Sequence, residues 1–251
     1  MSASQEPTQN RGYFGFEPLP VPLWKRVLDV ACILIGLPFV LFPMGLVALL
    51  IKIVSRGPIL FRQERIGHLG KPFTCLKFRT MRVDAETQVH HQHFAALMHS
   101  DKPMSKIDPA DRRIIPCGGV LRATALDELP QLFNVLFGDM SLVGPRPCIR
   151  YEYEKYLDWQ KERFNTLPGM TGLWQVSGKN RTTFTEMMRL DIDYARKKTL
   201  FMDMRILLMT PFAIFTQVAD MKAKRQTKRT SATPSAQNLS LPIRRVNAGS
   251  T

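Results

Sequence analysis

The sequence has few cysteines, and none of them lie close together. Its 251 residues include four, and no two of these form a C-x-x-C pair. This spacing matches neither a structural zinc site nor the disulfide framework of a small secreted domain. We therefore interpret Cys32, Cys75, Cys117 and Cys148 as inert thiols in a protein of a reducing compartment.

Acidic residues are also scarce, and residues 221–251 have none. The whole chain has 35 Lys and Arg residues against 21 Asp and Glu residues, a formal net charge of +14. Residues 221–251 carry seven of the basic residues in a background rich in Ser, Thr, Ala and Gln. That composition predicts a basic disordered tail, either solvated or in contact with anionic lipid. No nucleic-acid-binding motif accompanies it, so nucleic acid is not expected as a partner.

Charge is missing altogether from the 22 residues between Asp29 and Lys52. As a straight helix this run would extend about 33 Å, enough to cross a hydrocarbon core of about 30 Å. Residues 1–23, which precede it, are polar and are predicted to form a disordered leader. We assign residues 24–56 to a membrane segment.

Two features of this segment favour a re-entrant helix over a simple crossing. Pro38 and Pro43 each remove a backbone donor and clash with the preceding turn, so they predict a bend. Basic residues flank both ends of the run, which favours placing both ends in the cytoplasm. The flanking basic residues are Lys25, Arg26, Lys52, Arg56, Arg62 and Arg65. A kinked single span is the alternative, whereas a signal peptide does not fit because the chain continues directly into "KIVSRGPILFRQERIG".

A second apolar run, residues 206–215, is too short to span a bilayer and predicts a buried or interfacial helix. Between the two runs, "ILFRQERIG" and "FTCLKFRTM" have the composition of strands. Alternation in the second places Cys75, Lys77 and Arg79 on one face. Residues 57–220 are therefore predicted to form a mixed α/β (α+β) domain.

A histidine-rich stretch, "HHQHFAALMH", contains His90, His91, His93 and His99. No cysteine or carboxylate is interleaved with them at ligand spacing, so an exposed helix or loop is favoured over a metal site.

The segment "LDELPQLFNVLFGDMSLVGPRP" places two adjacent carboxylates, Asp127 and Glu128, before an apolar pattern with helical spacing. Pro130 suits the first turn of that helix and Gly138 suits its end. Backbone donors and the helix dipole favour negative charge at such a position, so the carboxylates could bind a cation or attack an electrophile. For an isolated pair, simple helix capping is the alternative.

The surroundings favour chemistry over capping. Arg122 lies five residues before Asp127, and "GPRP" holds Arg146 in a stiff loop that costs little entropy to order around an anion. The later segment "LPGMTGLWQVSGKN" combines three glycines with Lys179, a composition suited to a backbone that wraps closely around a ligand. It is not a Walker A loop, because five residues instead of four separate its last two glycines and Asn180 replaces the required Ser or Thr.

In this order, the motifs resemble the small monotopic bacterial phosphoglycosyl transferases, which initiate exopolysaccharide and glycoconjugate assembly. The resemblance covers roughly residues 24–220. It rests on "KRVLD", "GPILFRQERIG", "LKFRTM", "LRATALDELPQLFNVLFGDMSLVGPRP" and "LPGMTGLWQVSGKN". The family implies a re-entrant helix bent at a Ser-Pro pair, and here Phe42 replaces the serine while Pro43 keeps the proline. Because the additional N-terminal membrane region of larger relatives is missing, the minimal catalytic form is expected.

The resemblance implies transfer of a sugar 1-phosphate from a UDP-sugar to undecaprenyl phosphate, with release of UMP. It makes Asp127 the nucleophile that forms an aspartyl phosphosugar, and it makes Glu128, with Asp127, the holder of Mg²⁺. Arg122 and Arg146 are expected to bind the diphosphate or the uridine phosphate. The weaker substrate-binding candidates are Lys77, Arg79 and Lys179.

The family also implies a place and a set of partners. The protein is expected on the cytoplasmic face of the bacterial inner membrane, with a UDP-sugar, undecaprenyl phosphate and membrane lipids as partners, and an oligomer is possible. "GLWQVSGKN" resembles members that transfer hexoses such as glucose or galactose. A non-catalytic membrane adaptor and a membrane-tethered RNA binder are the alternatives, and neither would need Asp127 and Glu128.

Overall fold

The computed structural model describes residues 20–82, 95, 97–98, 100, 103, 113–178 and 181–231. The predicted leader up to residue 19, all four histidines of the histidine-rich stretch, Lys179 and residues 232–251 lie outside this part of the chain. The predictions made for them therefore stay predictions.

Helices and short strands alternate along the chain. The helices are α1 (Leu23–Val54), α2 (Gly118–Ala123), α3 (Gln131–Phe137), α4 (Arg150–Glu154), α5 (Asp158–Lys161), α6 (Leu173–Val176), α7 (Phe184–Lys197) and α8 (Leu200–Ser231). The strands are β1 (Leu60–Ile66), β2 (Pro72–Phe78), β3 (Ser141–Val143) and β4 (Gly169–Thr171). Single 3₁₀ turns occupy His68–Gly70, Leu126–Glu128 and Glu162–Asn165. This mixture of helix and sheet confirms the predicted fold class in outline.

Two small sheets carry the loops of interest. Strands β1 and β2 form an antiparallel hairpin that pairs Gln63 with Cys75 and Arg65 with Phe73. Strands β3 and β4 are parallel, with Ser141 opposite Gly169. Residues opposite each other in an antiparallel pair share a face, so Gln63 and Arg65 of β1 lie on the same face as Cys75 of β2. The two strands predicted from "ILFRQERIG" and "FTCLKFRTM" are confirmed.

Helix α1 runs without an assigned break through Pro38 and Pro43. Its apolar side chains around the prolines are exposed, including Ile35, Phe39 and Phe42 at 72% to 78% of their surface. The bend predicted from the prolines stays a prediction. Exposure of this much apolar surface fits a segment whose surroundings are lipid.

The first turns of α1 are anchored inside the domain by polar side chains. Lys25 is fully buried and donates hydrogen bonds to the carboxylate of Asp203 (2.6 Å), the hydroxyl of Tyr194 (2.8 Å) and the carbonyl of Val143 (2.8 Å). Asp29 accepts from the Ser141 hydroxyl at 3.0 Å, and it also accepts from the backbone N–H of Leu142 at 2.9 Å. The first turns of α1 are therefore fixed to β3 and to α8.

The end of α1 is anchored to the same domain. Met44, Val47 and Ile51 are buried in one apolar cluster with Phe78 of β2. Arg79, which follows β2, donates to the backbone carbonyls of Ser55 (3.0 Å) and Arg56 (2.8 Å), just beyond α1. Both ends of the apolar helix consequently contact one globular unit.

These contacts correct two interpretations of basic residues. Arg79 was predicted as a weak substrate-binding candidate, but its guanidinium is buried against the end of α1, where it binds two carbonyls. Lys25 and Arg65 were taken as flanking charges, yet both are buried, and half-buried Arg26 donates to the carbonyls of Val135 and Leu136 at the end of α3. The charge argument for topology therefore loses three of its six residues.

Helix α8 is longer than the sequence suggested. The uncharged run 206–215 is one part of a 32-residue helix that ends at Ser231. The predicted boundary between domain and tail at residue 220 therefore falls inside this helix. Its segment Leu200–Asp220, like α1, is long and apolar enough to cross a membrane by length and composition alone.

The four cysteines are free thiols, as predicted from their spacing. Burial raises the pKa of Cys75 and Cys117, and it raises the pKa of Cys148 to about 12. A thiol with a raised pKa stays protonated at neutral pH and is a poor nucleophile.

Candidate active site

A cleft lies between the β1–β2 hairpin, the turn that precedes α3, and the loops around β3 and β4. Its wall combines cationic, acidic and amide side chains. The lining residues are Arg65, Cys75, Lys77, Glu128, Gln131, Arg146, Pro147, Gly169, Met170 and Gln175. Three cations against one carboxylate make this a site suited to an anion that carries more than one charge.

Helix α3 brings the acidic pair to the hairpin. Asn134 is buried in α3, where its side-chain oxygen accepts from the backbone N–H of Leu76 (3.0 Å) and its amide donates to the carbonyl of Thr74 (2.7 Å). An amide side chain that binds both a backbone N–H and a backbone carbonyl of a strand holds its helix against that strand. Gly138 ends α3 in the left-handed conformation, as predicted for that position.

The acidic pair lies in the 3₁₀ turn Leu126–Glu128, directly before α3. Ala125 precedes the turn with φ of 59°, a left-handed conformation that costs a non-glycine residue about 1–2 kcal/mol. Strain of this kind is most often retained close to functional residues. The predicted position of the pair just before a helix is confirmed, and nothing in the sequence indicated the conformation of Ala125.

The two carboxylates occupy different surroundings. Glu128 lines the cleft, where one oxygen lies 2.9 Å from the ammonium of Lys77, and each side chain is about one fifth exposed. Asp127 is buried, with 9% of its surface exposed, and does not line the cleft. The structure therefore brings Glu128 and Lys77 together in the cleft wall and leaves the predicted nucleophile outside the lining.

Arg146 reaches the cleft because two loops pack backbone against backbone. The N–H of Gly144 donates to the carbonyl of Thr171 (2.8 Å), and the N–H of Gly169 donates to the carbonyl of Pro145 (2.8 Å). A Cβ on Gly169 would lie 2.0 Å from the nitrogen of Gly144. Gly169 thus serves a loop–loop contact and also lines the cleft, while the prediction that its segment wraps around a ligand stays a prediction.

A buried ion pair holds the loop that contains Arg146. Arg163 donates to the carbonyl of Arg146 at 2.8 Å and lies 2.5 Å from the carboxylate of Asp191 in α7. Both side chains are almost completely buried. Removing one partner of such a pair leaves an uncompensated buried charge, so this arrangement fixes the loop rigidly.

Arg65 is a cleft residue that the sequence interpretation missed. It is only 8% exposed, and it donates to the carbonyl of Pro147 (3.1 Å) and to the amide oxygen of Gln63 (2.6 Å). Burial and, second, the positive charge of Arg146 lower the pKa of Arg65. The signal that could have identified Arg65 was alternation in β1, which puts it on the Cys75 face of the hairpin.

Of the two other predicted substrate-binding residues, one lies outside the cleft and the other is not among the described residues. Arg122 lies in α2, half-buried and outside the cleft lining, and its carbonyl accepts a weak bond of 3.4 Å from the Gln217 amide. Lys179 is among the residues whose position is not described. Trp174, the aromatic residue of the same segment, is buried in an apolar cluster.

The cleft fits the predicted magnesium ion only with help from a substrate. Within the described residues, no cluster of three or more His, Cys, Asp or Glu side chains could hold a metal. Glu128 lines the cleft and offers carboxylate oxygens, the ligand type that Mg²⁺ prefers, whereas Asp127 is buried and does not line it. Mg²⁺ commonly binds one or two carboxylates plus substrate phosphates, and this donor set matches that pattern.

Comparison with known proteins gives a consistent family. The model of the bacterial sugar transferase family matches residues 21–217. A galactosyl transferase CpsE of Streptococcus agalactiae is 44% identical over 192 residues, which cover 74% of this chain and 41% of the relative. An undecaprenyl-phosphate galactose phosphotransferase of Salmonella typhimurium is 38% identical over 74% of this chain and 39% of the relative.

A third relative is matched over a larger share of its own length. A UDP-glucose:undecaprenyl-phosphate glucose-1-phosphate transferase of Caulobacter vibrioides is 41% identical over 215 residues, which cover 79% of this chain and 73% of the relative. The chain spans only about two fifths of the streptococcal and Salmonella relatives. The residues matched by the family model, 21–217, include those that line the cleft.

Proposed function

This chain belongs to the bacterial sugar transferase family, and we propose that it transfers a hexose 1-phosphate from a UDP-sugar to undecaprenyl phosphate, releasing UMP. The observation that carries this proposal is the cleft, where Arg65, Lys77 and Arg146 line the same wall as the carboxylate of Glu128. A diphosphate needs cationic partners, and a carboxylate can serve as the nucleophile that attacks phosphorus. The names of the matched relatives support glucose or galactose as the sugar.

The first step is an attack by a carboxylate oxygen of Asp127 on the β-phosphorus. A bond forms between that oxygen and the phosphorus, and the bond from the phosphorus to the bridging oxygen breaks. UMP leaves with the bridging oxygen. Three negative charges, two on the donor and one on Asp127, become two on UMP and one on the aspartyl phosphosugar, so no proton is needed. Arg146, which lines the cleft, would neutralise the charge that develops on the leaving phosphate.

In the second step an oxygen of the lipid phosphate attacks the same phosphorus. The bond between phosphorus and Asp127 breaks, which restores the free carboxylate and gives the lipid-linked diphosphate sugar. Splitting one transfer into two displacements is the usual advantage of covalent catalysis. Mg²⁺, held by Glu128 and Asp127 together with the diphosphate, would supply further neutralisation of phosphate charge.

Membrane attachment through a re-entrant α1 is part of the proposal. Lys25 and Asp29 near its start and Ile51 near its end contact the same domain, while the residues around Pro38 and Pro43 expose apolar side chains. A straight crossing of a core of about 30 Å would carry the two ends to opposite sides of the membrane. A helix that enters and returns leaves both ends beside a cytoplasmic domain and brings the cleft to the lipid phosphate.

Helix α8 supplies a second apolar surface. Phe201, Leu208, Phe212 and Phe215 are each at least two thirds exposed. Side chains of this kind lie favourably at the boundary between headgroups and acyl chains. We assign α8 to the cytoplasmic membrane surface, beside α1.

The proposal is tested by the chemistry of a single turnover. Purified protein incubated with UDP-glucose or UDP-galactose and Mg²⁺, without lipid, should release UMP in an amount close to that of enzyme. The peptide that contains Asp127 should gain the mass of a hexose phosphate. Addition of undecaprenyl phosphate should discharge the adduct and allow continuous UMP release.

Other outcomes of this experiment distinguish the alternatives. UMP release that begins only when the lipid is added would indicate direct attack by the lipid phosphate and would remove Asp127 as nucleophile. An adduct on Glu128 would keep two steps but change the residue. No UMP with any UDP-sugar in the presence of lipid would favour the non-catalytic membrane adaptor.

The topology is tested with single cysteines at two exposed positions, Pro20→Cys and Arg56→Cys, in a protein whose partly exposed Cys32 and Cys117 are replaced by serine. A membrane-impermeant thiol reagent should label neither position in intact cells and both in inside-out vesicles. Labelling of one position from each side would mean that α1 crosses the membrane, and the re-entrant arrangement would be wrong.

A further inference from the structure

We propose that Arg65 and Arg146 form one phosphate-binding position that receives the phosphate of UMP in the first step and the phosphate of the lipid in the second. The inference rests on the proposed function and adds to it a binding residue and a shared position.

The first observation is the hydrogen-bond pattern of Arg65. Its two terminal nitrogens donate to Pro147 and Gln63, but its Nε–H is buried and has no acceptor among the described residues. A buried donor without a partner costs about 1–3 kcal/mol, and such groups are uncommon in folded proteins. Because Arg65 lines the cleft, an anion bound there can satisfy this donor.

The second observation is the position of Arg146. Arg146 lines the same cleft, and it is the positive neighbour whose charge most opposes that of Arg65. Two guanidinium groups at close range repel each other unless an anion lies between them. A phosphate oxygen can bind both, and arginine is the side chain whose planar fork best matches phosphate.

The third observation separates this pair from the reacting carboxylates. Lys77, which contacts Glu128, pairs across the hairpin with Phe61, four residues before Arg65 on β1. The long side chains of Lys77 and Arg65 start from different positions along the hairpin and line the same cleft. We therefore assign the attacked phosphorus to the side of Lys77 and Glu128 and the adjacent phosphate, which is not attacked, to Arg65 and Arg146.

Displacement at phosphorus makes this position common to both steps. The attacking and leaving oxygens lie roughly in line with the phosphorus between them. In the first step Asp127 attacks from one side and the phosphate of UMP leaves from the other. In the second step Asp127 is the leaving group, so the lipid phosphate must approach from the side that UMP left. A single phosphate position opposite the carboxylate consequently serves both substrates.

Strand β1 provides a matched control for the test. Arg62 lies on the same strand as Arg65 but is exposed and does not line the cleft. The experiment compares Arg65→Lys with Arg62→Lys, each checked by its melting temperature without ligand. Lysine keeps the positive charge and removes the planar Nε–H donor.

We expect Arg65→Lys to weaken UMP binding and to raise the KM for the UDP-sugar and for undecaprenyl phosphate, each by about tenfold or more, the size of one lost charged hydrogen bond. Arg62→Lys should match the wild type in all three measurements. In the wild type, UMP should compete with undecaprenyl phosphate for discharge of the adduct, a measurement that needs no variant.

The results that would overturn the inference differ from those that would overturn the function. Equal constants for Arg65→Lys and Arg62→Lys, with a wild type that turns over normally, would remove Arg65 from the site. An increase in the KM for one substrate alone, or UMP that fails to compete with the lipid, would show that the two phosphates occupy separate positions. Absence of UMP release by the wild type would instead contradict the proposed function.

Discussion

Replacing Asp127 with asparagine is expected to abolish turnover, by on the order of 10⁴-fold or more, the scale of removing a covalent nucleophile. An amide oxygen is a poor nucleophile toward phosphorus, while the similar size of asparagine keeps the turn and the Glu128–Lys77 contact in place. The measurement is continuous UMP release with UDP-sugar and undecaprenyl phosphate. Asp158→Asn, at a carboxylate 96% exposed outside the cleft, is the control and should retain full activity.

The paired variant Glu128→Gln separates the roles of the two carboxylates. Loss of its charge removes the ion pair with Lys77 and one predicted ligand of Mg²⁺, so kcat is expected to fall about 10²- to 10³-fold, as for other charge-stabilising groups. A weak single-turnover burst of UMP should survive in Glu128→Gln and be absent in Asp127→Asn. The opposite pattern would make Glu128 the nucleophile, an assignment that its position on the cleft wall would explain.

Burial of Asp127 sets a structural requirement for this mechanism. With 9% of its surface exposed, the carboxylate must come to the cleft surface before it can reach a phosphorus atom. Ala125, immediately before the turn, has a left-handed conformation that costs a non-glycine residue free energy. Strained backbone conformations cluster at active sites and switch regions, which makes this turn a suitable place for such a movement.

The sequence predicted the parts of the cleft that depend on local pattern. Alternation in two short segments predicted the hairpin, and the spacing of apolar residues after Pro130 predicted α3 with the acidic pair just before it. Both signals depend on periodicities of two and 3.6 residues, which tertiary contacts did not override. Arg146 was predicted from its stiff proline loop, and it lines the cleft.

The sequence interpretations that differ from the structure have separate physical causes. Basic residues beside an apolar helix usually report topology, and the sequence gives no sign that Lys25 has its partner at Asp203. Alternation in the sequence predicted that Arg79 lies on the same face as Lys77. Because β2 ends at Phe78, the guanidinium of Arg79 instead lies against the end of α1. The tail was judged by its charge and its polar composition, although residues 221–231 include five Lys and Arg residues, which are good helix formers.

Replacing Lys25 with methionine is expected to destabilise the protein by about 3–5 kcal/mol, because it leaves the buried carboxylate of Asp203 without its cation. The hydroxyl of Tyr194 still donates to Asp203 at 2.7 Å, but one neutral hydrogen bond does not replace an ion pair. The measurement is unfolding in detergent or lipid nanodiscs. Lys52→Met, at an exposed position near the end of the same helix, should change stability by no more than about 0.5 kcal/mol.

The double variant Lys25→Met with Asp203→Asn shows whether the charge pair itself is responsible. Removing both charges avoids the unpaired carboxylate, so the double variant should be more stable than Lys25→Met alone. Stability equal to the sum of the two single losses would mean that the residues do not act as a pair. Lys25 also donates to the carbonyl of Val143, three residues before Arg146. Its loss should therefore loosen the loop that contains Arg146 and lower activity by more than the loss of folded protein explains. If activity falls only in proportion to the loss of folded protein, the role of Lys25 is limited to anchoring α1.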